Sequence, residues 1–430
     1  ICFTCPKPFV PWEEIFGVKF VDELRGDTWG DVAQRFYWDG KRVWRYDDDH
    51  KMWLDDSMEI ALDMWKEMGI SSVKDRSRNN RSDLDRLKTL VVKANRVPGG
   101  AMPFVHQKPG ILEFDGIKYL NTAHVHVLEP APEIDGIAAY DFDDYMAKYV
   151  PWLRSFLLEF FEPPRNRPRW VPADFPLERI PLFLHLAWVK RCYEGAHFLS
   201  PQRRQALVLA GPEGTGKTFY VRGVLGGLMG AVADGSAYMV EGGNFTSHIA
   251  ERPIMLVDDA TPASNPDYHR RYTAMVKKLV ACTLMHYNKK YGADGMVEWR
   301  GTAILALNAD PDSLRNLPSL DQSNLEKVSM FQVKRGIYLP GEVAQKKHLD
   351  SELPYFARFL LNWEPPAWTD APDSYRGRFS VRAYHHEDLR EAAASVGSVA
   401  AVLDVLQDMM DDWRESDDQV AATLHGAEPV

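Results

Sequence analysis

Cysteine is scarce in this chain: four in 430 residues, at Cys2, Cys5, Cys192 and Cys282. So few and so scattered, they exclude a disulfide framework and agree with a reducing compartment. Cys2 and Cys5 form a single CxxC with no second pair nearby, which reads as incidental rather than as half of a zinc site. Long apolar runs are missing too. No stretch approaches the roughly eighteen apolar residues of a membrane span, and no basic segment followed by an apolar one stands near Ile1. Neither an anchor nor a signal peptide is expected, and the expected location is the cytoplasm. The chain begins at Ile1, so a module upstream of it, including further zinc ligands, stays open. Positive charge is also short: the formal net charge is −10, which excludes a surface coated in cations. What remains is an ordinary globular composition, 45% hydrophobic, in a length that accommodates two or three domains.

Pattern along the chain divides it further. Aromatic-rich pieces around Arg35 to Lys41 and Arg42 to Tyr46, closed by the acidic turn at Asp47 to Asp49, predict a β-hairpin over 29–54. Apolar spacings of three and four predict helices over 54–68 and 83–92, and strand-like runs return over 105–128 around Asp115-Gly116. One amphipathic helix is expected over 141–161. The prolines that follow, at 163, 164, 168 and 172, cannot continue it. The resulting division is an N-terminal α+β domain (1–161), a proline-rich linker with a collar-like helix (162–200), a core (201–345) and a helical C-terminal region with an acidic tail (346–430). The helices expected in this last region cover 353–363 and 387–413, and the tail from Glu415 reads as frayed. His185, Trp188 and His197, on the helix expected over 177–198, read as packing residues, since nothing in their spacing suggests a metal.

The most specific signal is Leu207-Val-Leu-Ala-Gly-Pro-Glu-Gly-Thr-Gly-Lys-Thr218, an apolar strand running into G-x-x-x-x-G-K-T and then a helix-compatible stretch. In such a loop, Gly211, Pro212, Glu213, Gly214, Thr215 and Gly216 surround the phosphates, and all of them but Pro212, which has none, bring a backbone N–H group to phosphate oxygens. Lys217 reaches the β- and γ-phosphates, and the Thr218 hydroxyl ligates Mg²⁺. Downstream, Pro253-Ile-Met-Leu-Val-Asp-Asp259 is a second apolar strand ending in two carboxylates. Asp258 stands as the other Mg²⁺ ligand, and Asp259 as the group that polarises the attacking water. A third, Gly301-Thr-Ala-Ile-Leu-Ala-Leu-Asn308, ends in an amide able to hydrogen-bond a γ-phosphate and the lytic water. Between the last two, from Arg270 to Arg300, the basic residues Arg270, Arg271, Lys277, Lys278, Lys289, Lys290 and Arg300 stand against only Asp294 and Glu298, a basic island in an acidic chain.

This order of motifs, with His286-Tyr-Asn-Lys-Lys-Tyr291 before the Asn308 strand, resembles superfamily 3 helicases, and within them the helicase part of phage and plasmid primase-helicase proteins. The flanks at 104–130, with Gly110-Ile-Leu-Glu-Phe-Asp-Gly116, and at Glu352 to Trp363 are similar as well, so the resemblance spans roughly 104–389. It implies an α/β fold with an AAA+ type P-loop core, ATP and Mg²⁺ as cofactors, and a homo-oligomeric, hexameric ring. The ring would act on single-stranded or forked DNA in replication of a phage, virus or plasmid, in the host-cell cytoplasm, with a primase or polymerase as partner. By position it makes Lys289, Lys290 and Tyr291 the DNA-holding hairpin and Asn308 the sensor. Two departures stand out. Asp259 occupies a place where many relatives carry Glu, and Lys327 stands where they carry Arg, which leaves Arg315 and Arg335 as candidates for the arginine finger. Two rival readings stay open: an ATP-dependent switch or nucleic-acid sensor without processive unwinding, and a small-molecule kinase, disfavoured because no Arg-rich lid follows Asp259.

Overall fold

A computed structural model of the chain describes residues 32–47, 52–74, 80–104, 110–114, 116–123, 125, 127–134, 137, 140–197, 203–241, 246–258, 266–281, 284–288, 294–299, 301–310, 313–318, 320, 324–334, 341–372 and 378–395. The chain forms two compact units, 1–124 and 125–430.

In the first unit, β1 (Phe36–Trp38), β2 (Val43–Asp47) and β3 (Met52–Asp56) form an antiparallel meander. The expected hairpin segment therefore holds a third strand, which runs past its expected end at 54 into the first residues of the expected helix. Ser57 ends that strand and caps α1 (Met58–Glu67), accepting from the Ile60 N–H at 3.2 Å. α2 (Asp83–Thr89) opens with a capping box between Ser82 and Asp85 and continues into a π-helical turn, Leu90–Ala94. Phe36 and Val43 from the meander meet Ala61, Trp65, Leu87 and Val91 from these helices in one small core. β4 (Ala101–Met102), β5 (Gly110–Phe114) and β6 (Ile117–Asn121) form a second sheet in the order β4-β6-β5, with β5 and β6 flanking Asp115-Gly116 as expected.

The second unit begins before the proline run. The helix expected over 141–161 is two helices, α3 (Asp144–Tyr149) and α4 (Pro151–Phe160), because Pro151 excludes helical φ/ψ at Val150, which sits at φ −137°. α4 does not belong with the N-terminal strands. Its aromatic face lies on the segment after the phosphate loop, with Phe156 against Phe219 and Tyr220, and Phe160 against Tyr220. α5 (Ile180–Ala196) is buried almost all round, and it delivers the chain to the main sheet.

That sheet is wholly parallel and five-stranded, ordered β13-β7-β12-β9-β8. Its strands are β7 (Ala206–Gly211), β8 (Val232–Asp234), β9 (Ile254–Asp258), β12 (Thr302–Asn308) and β13 (Val328–Gln332). The three central strands are near-continuous apolar runs because both faces are covered. Between β7 and β8 lie α6 (Lys217–Phe219), the π-helical Tyr220–Leu225 and α7 (Gly226–Met229). Short α8 (Ser236–Glu241) and α9 (Ser247–Ala250) precede β9, and α10 (Pro266–Ala281) follows it. β10 (Leu284–Asn288) and β11 (Asp294–Glu298) pair antiparallel in a sheet of their own. α11 (Glu342–Asn362) starts eleven residues before the expected Leu353, with Pro354 accommodated inside it. A further helical stretch covers 387–395.

Candidate functional site

Sheet order decides what meets at the carboxyl ends of the strands, where open α/β sheets hold their ligands. β12 lies between β7 and β9, with Asn308 in register with Gly211 and Ala306 in register with Asp258. The phosphate loop, the Asn308 amide and the Asp258 carboxylate therefore emerge side by side, although the sequence separates them widely.

The loop after β7 is shaped by two different demands on glycine. Gly214 and Gly216 adopt φ of +70° and +84°, a left-handed backbone that side-chain-bearing residues rarely take. Gly211 is needed for close approach instead: a Cβ there would lie 2.2 Å from the Val333 carbonyl oxygen. The missing side chain lets β7 pass the end of β13. Thr215 is buried and donates its hydroxyl to the Pro212 carbonyl at 3.0 Å, while Pro212, Glu213 and Gly214 are exposed. Gly216 is the N-cap of the helix that starts at Lys217, so the positive end of the helix faces the loop.

The Lys217 side chain is buried, and its amine donates to the carbonyls of Gly211 (2.9 Å) and Pro212 (2.8 Å) and to Asn308 Oδ1 (3.2 Å). On the open side, the Thr218 hydroxyl donates to Asp258 Oδ2 at 2.9 Å. These two oxygens suit Mg²⁺, a hard cation that is held at phosphate sites by one or two protein oxygens together with phosphate and water. Asp258 is itself held by Ser236, whose hydroxyl accepts from the Asp258 N–H (3.4 Å) and lies 3.3 Å from its carbonyl oxygen. Sequence reasoning missed Ser236; the signal available was a strand ending in Asp234-Gly235 just before it. Asp234 also accepts from the Ser236 N–H at 2.9 Å, and that bond, helped by Arg222 and His248, holds its carboxyl below the usual range.

Behind the loop, Tyr220 is fully buried and its hydroxyl pairs with His185 Nε2 at 2.7 Å. Burial pushes the His185 imidazole down to about 3, so it is neutral at ordinary pH. Trp188 donates its indole N–H to the Gln205 carbonyl at 3.0 Å. The buried carboxylate of Glu352, on α11, accepts from the free N–H groups of Trp152 (3.1 Å) and Leu153 (2.9 Å) at the start of α4.

Lys217, Thr218, Asp258 and Asn308 are thus brought together. Asp259, Lys289, Lys290, Tyr291, Arg335, Cys2 and Cys5 lie outside the described residues, as does the side chain of Arg315, whose backbone belongs to the 3₁₀ turn Ser313–Asn316. The five residues that join β10 to β11 include Lys289, Lys290 and Tyr291.

Residues 209–323, which hold all four assembled residues, match the model described as a family of unknown function (DUF5906). No curated protein matches the chain in sequence. Among solved structures, the A form apo structure of the NrS-1 C terminal region is similar over 84% of this chain and 71% of that one, at 12% identity and a TM-score of 0.51. A second apo structure of the same region gives 84%, 71%, 13% and 0.50. A JCV helicase structure matches 50% of this chain and 61% of its own at 10% identity, but its TM-score of 0.27 is too low to carry weight. At these identities the NrS-1 likeness is one of fold.

Proposed function

We propose that this chain is an ATP-dependent DNA helicase or translocase of the AAA+ superfamily 3 type, acting in replication of a phage, virus or plasmid. The observation that carries this reading is the convergence of Lys217, Thr218, Asp258 and Asn308 at the carboxyl ends of β7, β9 and β12. In it, nucleotide phosphates sit on the N–H groups of 213–217 at the helix N-terminus. The Lys217 amine exchanges its loop carbonyls for β- and γ-oxygens. Thr218 and Asp258 hold Mg²⁺, whose chemistry is to neutralise charge that develops on the phosphates. Asn308, already within reach of Lys217, orients the attacking water, with Asp259 as its polarising base. The separate β10–β11 hairpin suits a DNA-holding element with Lys289, Lys290 and Tyr291 at its turn, where cations meet phosphates and an aromatic ring stacks a base. A hexameric ring with an Arg from the neighbouring subunit, Arg315 or Arg335, completes the reading.

The test is steady-state ATP hydrolysis with and without single-stranded DNA across protein concentration, with Lys217→Ala as the blank. A shared site in a ring gives DNA-stimulated turnover that rises steeply with concentration. Turnover indifferent to both DNA and concentration would overturn the helicase in favour of a nucleotide switch.

A further inference from the structure

The strands that carry Asp258 and Asn308 share a feature at their other ends: both begin at the β10–β11 hairpin. β12 follows β11 after Trp299 to Gly301, and the backbone entering β9 crosses that junction closely. Trp299 donates its indole N–H to the Arg252 carbonyl at 2.7 Å, and the Thr302 N–H donates to the Pro253 carbonyl at 3.0 Å. The crossing tolerates only glycine at 301, where a Cβ would lie 2.3 Å from the Trp299 ring and 2.5 Å from the Pro253 oxygen.

The segment before β9 also runs along the hairpin rather than away from it. Thr246 is buried, and its backbone N–H donates to the Asn288 carbonyl at 3.2 Å. Its hydroxyl accepts from the Asn288 N–H at 3.2 Å and donates to the His286 carbonyl. One turn later, Glu251 accepts from the buried Tyr287 hydroxyl at 2.8 Å. Residues 246–252 thus brace β10 from its last residue back to the junction at Trp299, and Pro253 alone separates them from β9. Five residues of β9, about 16 Å of strand, lead from there to Asp258.

We infer that Thr246–Arg252 is a splint that couples nucleotide occupancy to the hairpin, with Thr246 and the Glu251–Tyr287 pair as its positioning residues. The inference rests on the proposed function and adds the route by which the two ends of the motor communicate. Rearrangement at Asp258 is transmitted along β9 to a brace bonded to β10 at three residues, so the hairpin answers as a body. Tyr287 and Thr246 touch neither nucleotide nor DNA in this scheme.

Hydrogen exchange of the full chain, with and without Mg²⁺ and a non-hydrolysable ATP analogue, reads both ends at once. In the wild type, nucleotide slows exchange in 207–218 and also in 284–298. Tyr287→Phe and Thr246→Val keep the first effect and weaken the second by about tenfold, the size of a typical coupling. Thr246→Ser, which retains the hydroxyl, keeps both. If 284–298 responds equally in Tyr287→Phe and Thr246→Val, or fails to respond in a wild type whose 207–218 is protected, the splint is wrong and the proposed function stands. A wild-type phosphate loop that nucleotide does not protect overturns the proposed function, and the splint with it.

Discussion

The Lys217 amine lies 3.2 Å from the Asn308 side-chain oxygen, across 91 positions of sequence, because β12 is inserted between the phosphate-loop strand and the strand of Asp258. The two side chains divide the labour that this geometry allows. Lys217→Ala removes the cation that, in the proposed function, meets the phosphates, and it is expected to abolish both tight nucleotide binding and turnover. Asn308→Ala spares binding and lowers turnover about a hundredfold, the usual cost of one preorganised hydrogen-bonding group. Calorimetric titration with nucleotide beside a hydrolysis assay separates the two. Equal losses of binding in both variants would remove Asn308 from the sensor role.

The 2.9 Å contact between Thr218 and Asp258 makes a metal-specific expectation. Asp258→Asn keeps the shape but removes the charge that a hard cation prefers. Nucleotide affinity in chelator should stay within about threefold of wild type, and the Mg²⁺ concentration needed for half-maximal turnover should rise by roughly tenfold or more, about 1.4 kcal/mol of lost ligation. An unchanged Mg²⁺ requirement would assign the metal to other groups.

Much of this site was legible because buried parallel strands are written as plain apolar runs: Leu207 to Ala210, Ile254 to Val257 and Ala303 to Leu307 are all buried. Their polar end residues then stood out. What was not legible depended on packing between distant segments. β3 was hidden because Met52-Trp53-Leu54 adjoins a helical pattern, and only Ser57 separates the two. The start of α11 was hidden by its polar run, Gln345-Lys346-Lys347, and by Pro354, which reads as a first-turn residue but sits mid-helix. The demand on Gly211 comes from Val333, and that on Asp258 comes in part from Ser236; neither neighbour is marked by a motif.

Glycine positions in the loop should fail in two different ways. Gly211→Ala places a methyl 2.2 Å from a backbone oxygen that cannot swing aside, so the sheet itself must shift, and a loss of several kcal/mol in stability is expected. Gly214→Ala meets nothing within 4 Å but must hold φ near +70°, a cost of about 1 kcal/mol. Denaturant midpoints for the two variants would rank them, and a reversed order would refute the assignment of Gly211 to packing.

Glu352 joins the C-terminal helix to the start of α4, and its two acceptor bonds satisfy N–H groups that a helix leaves free. Glu352→Ala strands the Trp152 and Leu153 amides in a buried setting and should cost roughly 2–3 kcal/mol. Glu352→Gln keeps one acceptor and should recover about half of that. The comparison is made by thermal unfolding, and equal midpoints for all three proteins would exclude the capping role.

Acid should weaken the second unit through two imidazoles, that of the buried His185 and that of the half-buried His385. Burial holds His185 at about 3 and His385 at about 4, against about 6.5 for an unfolded histidine. Both shifts favour the neutral form in the folded state, so below about 6.5 the unfolded chain takes up protons that the folded chain refuses. Their contribution to stability is therefore complete above that pH and is lost as pH falls towards 4 for His385 and 3 for His185. Between pH 7 and pH 5 each group should account for about 2 kcal/mol of lost stability. His185→Gln retains an amide able to meet the Tyr220 hydroxyl but does not titrate, so its denaturant midpoint should fall over this range only about half as far as that of the wild type. A variant that loses as much as the wild type would mean that His185 is protonated in the folded chain, and that its pairing with Tyr220 is open to solvent.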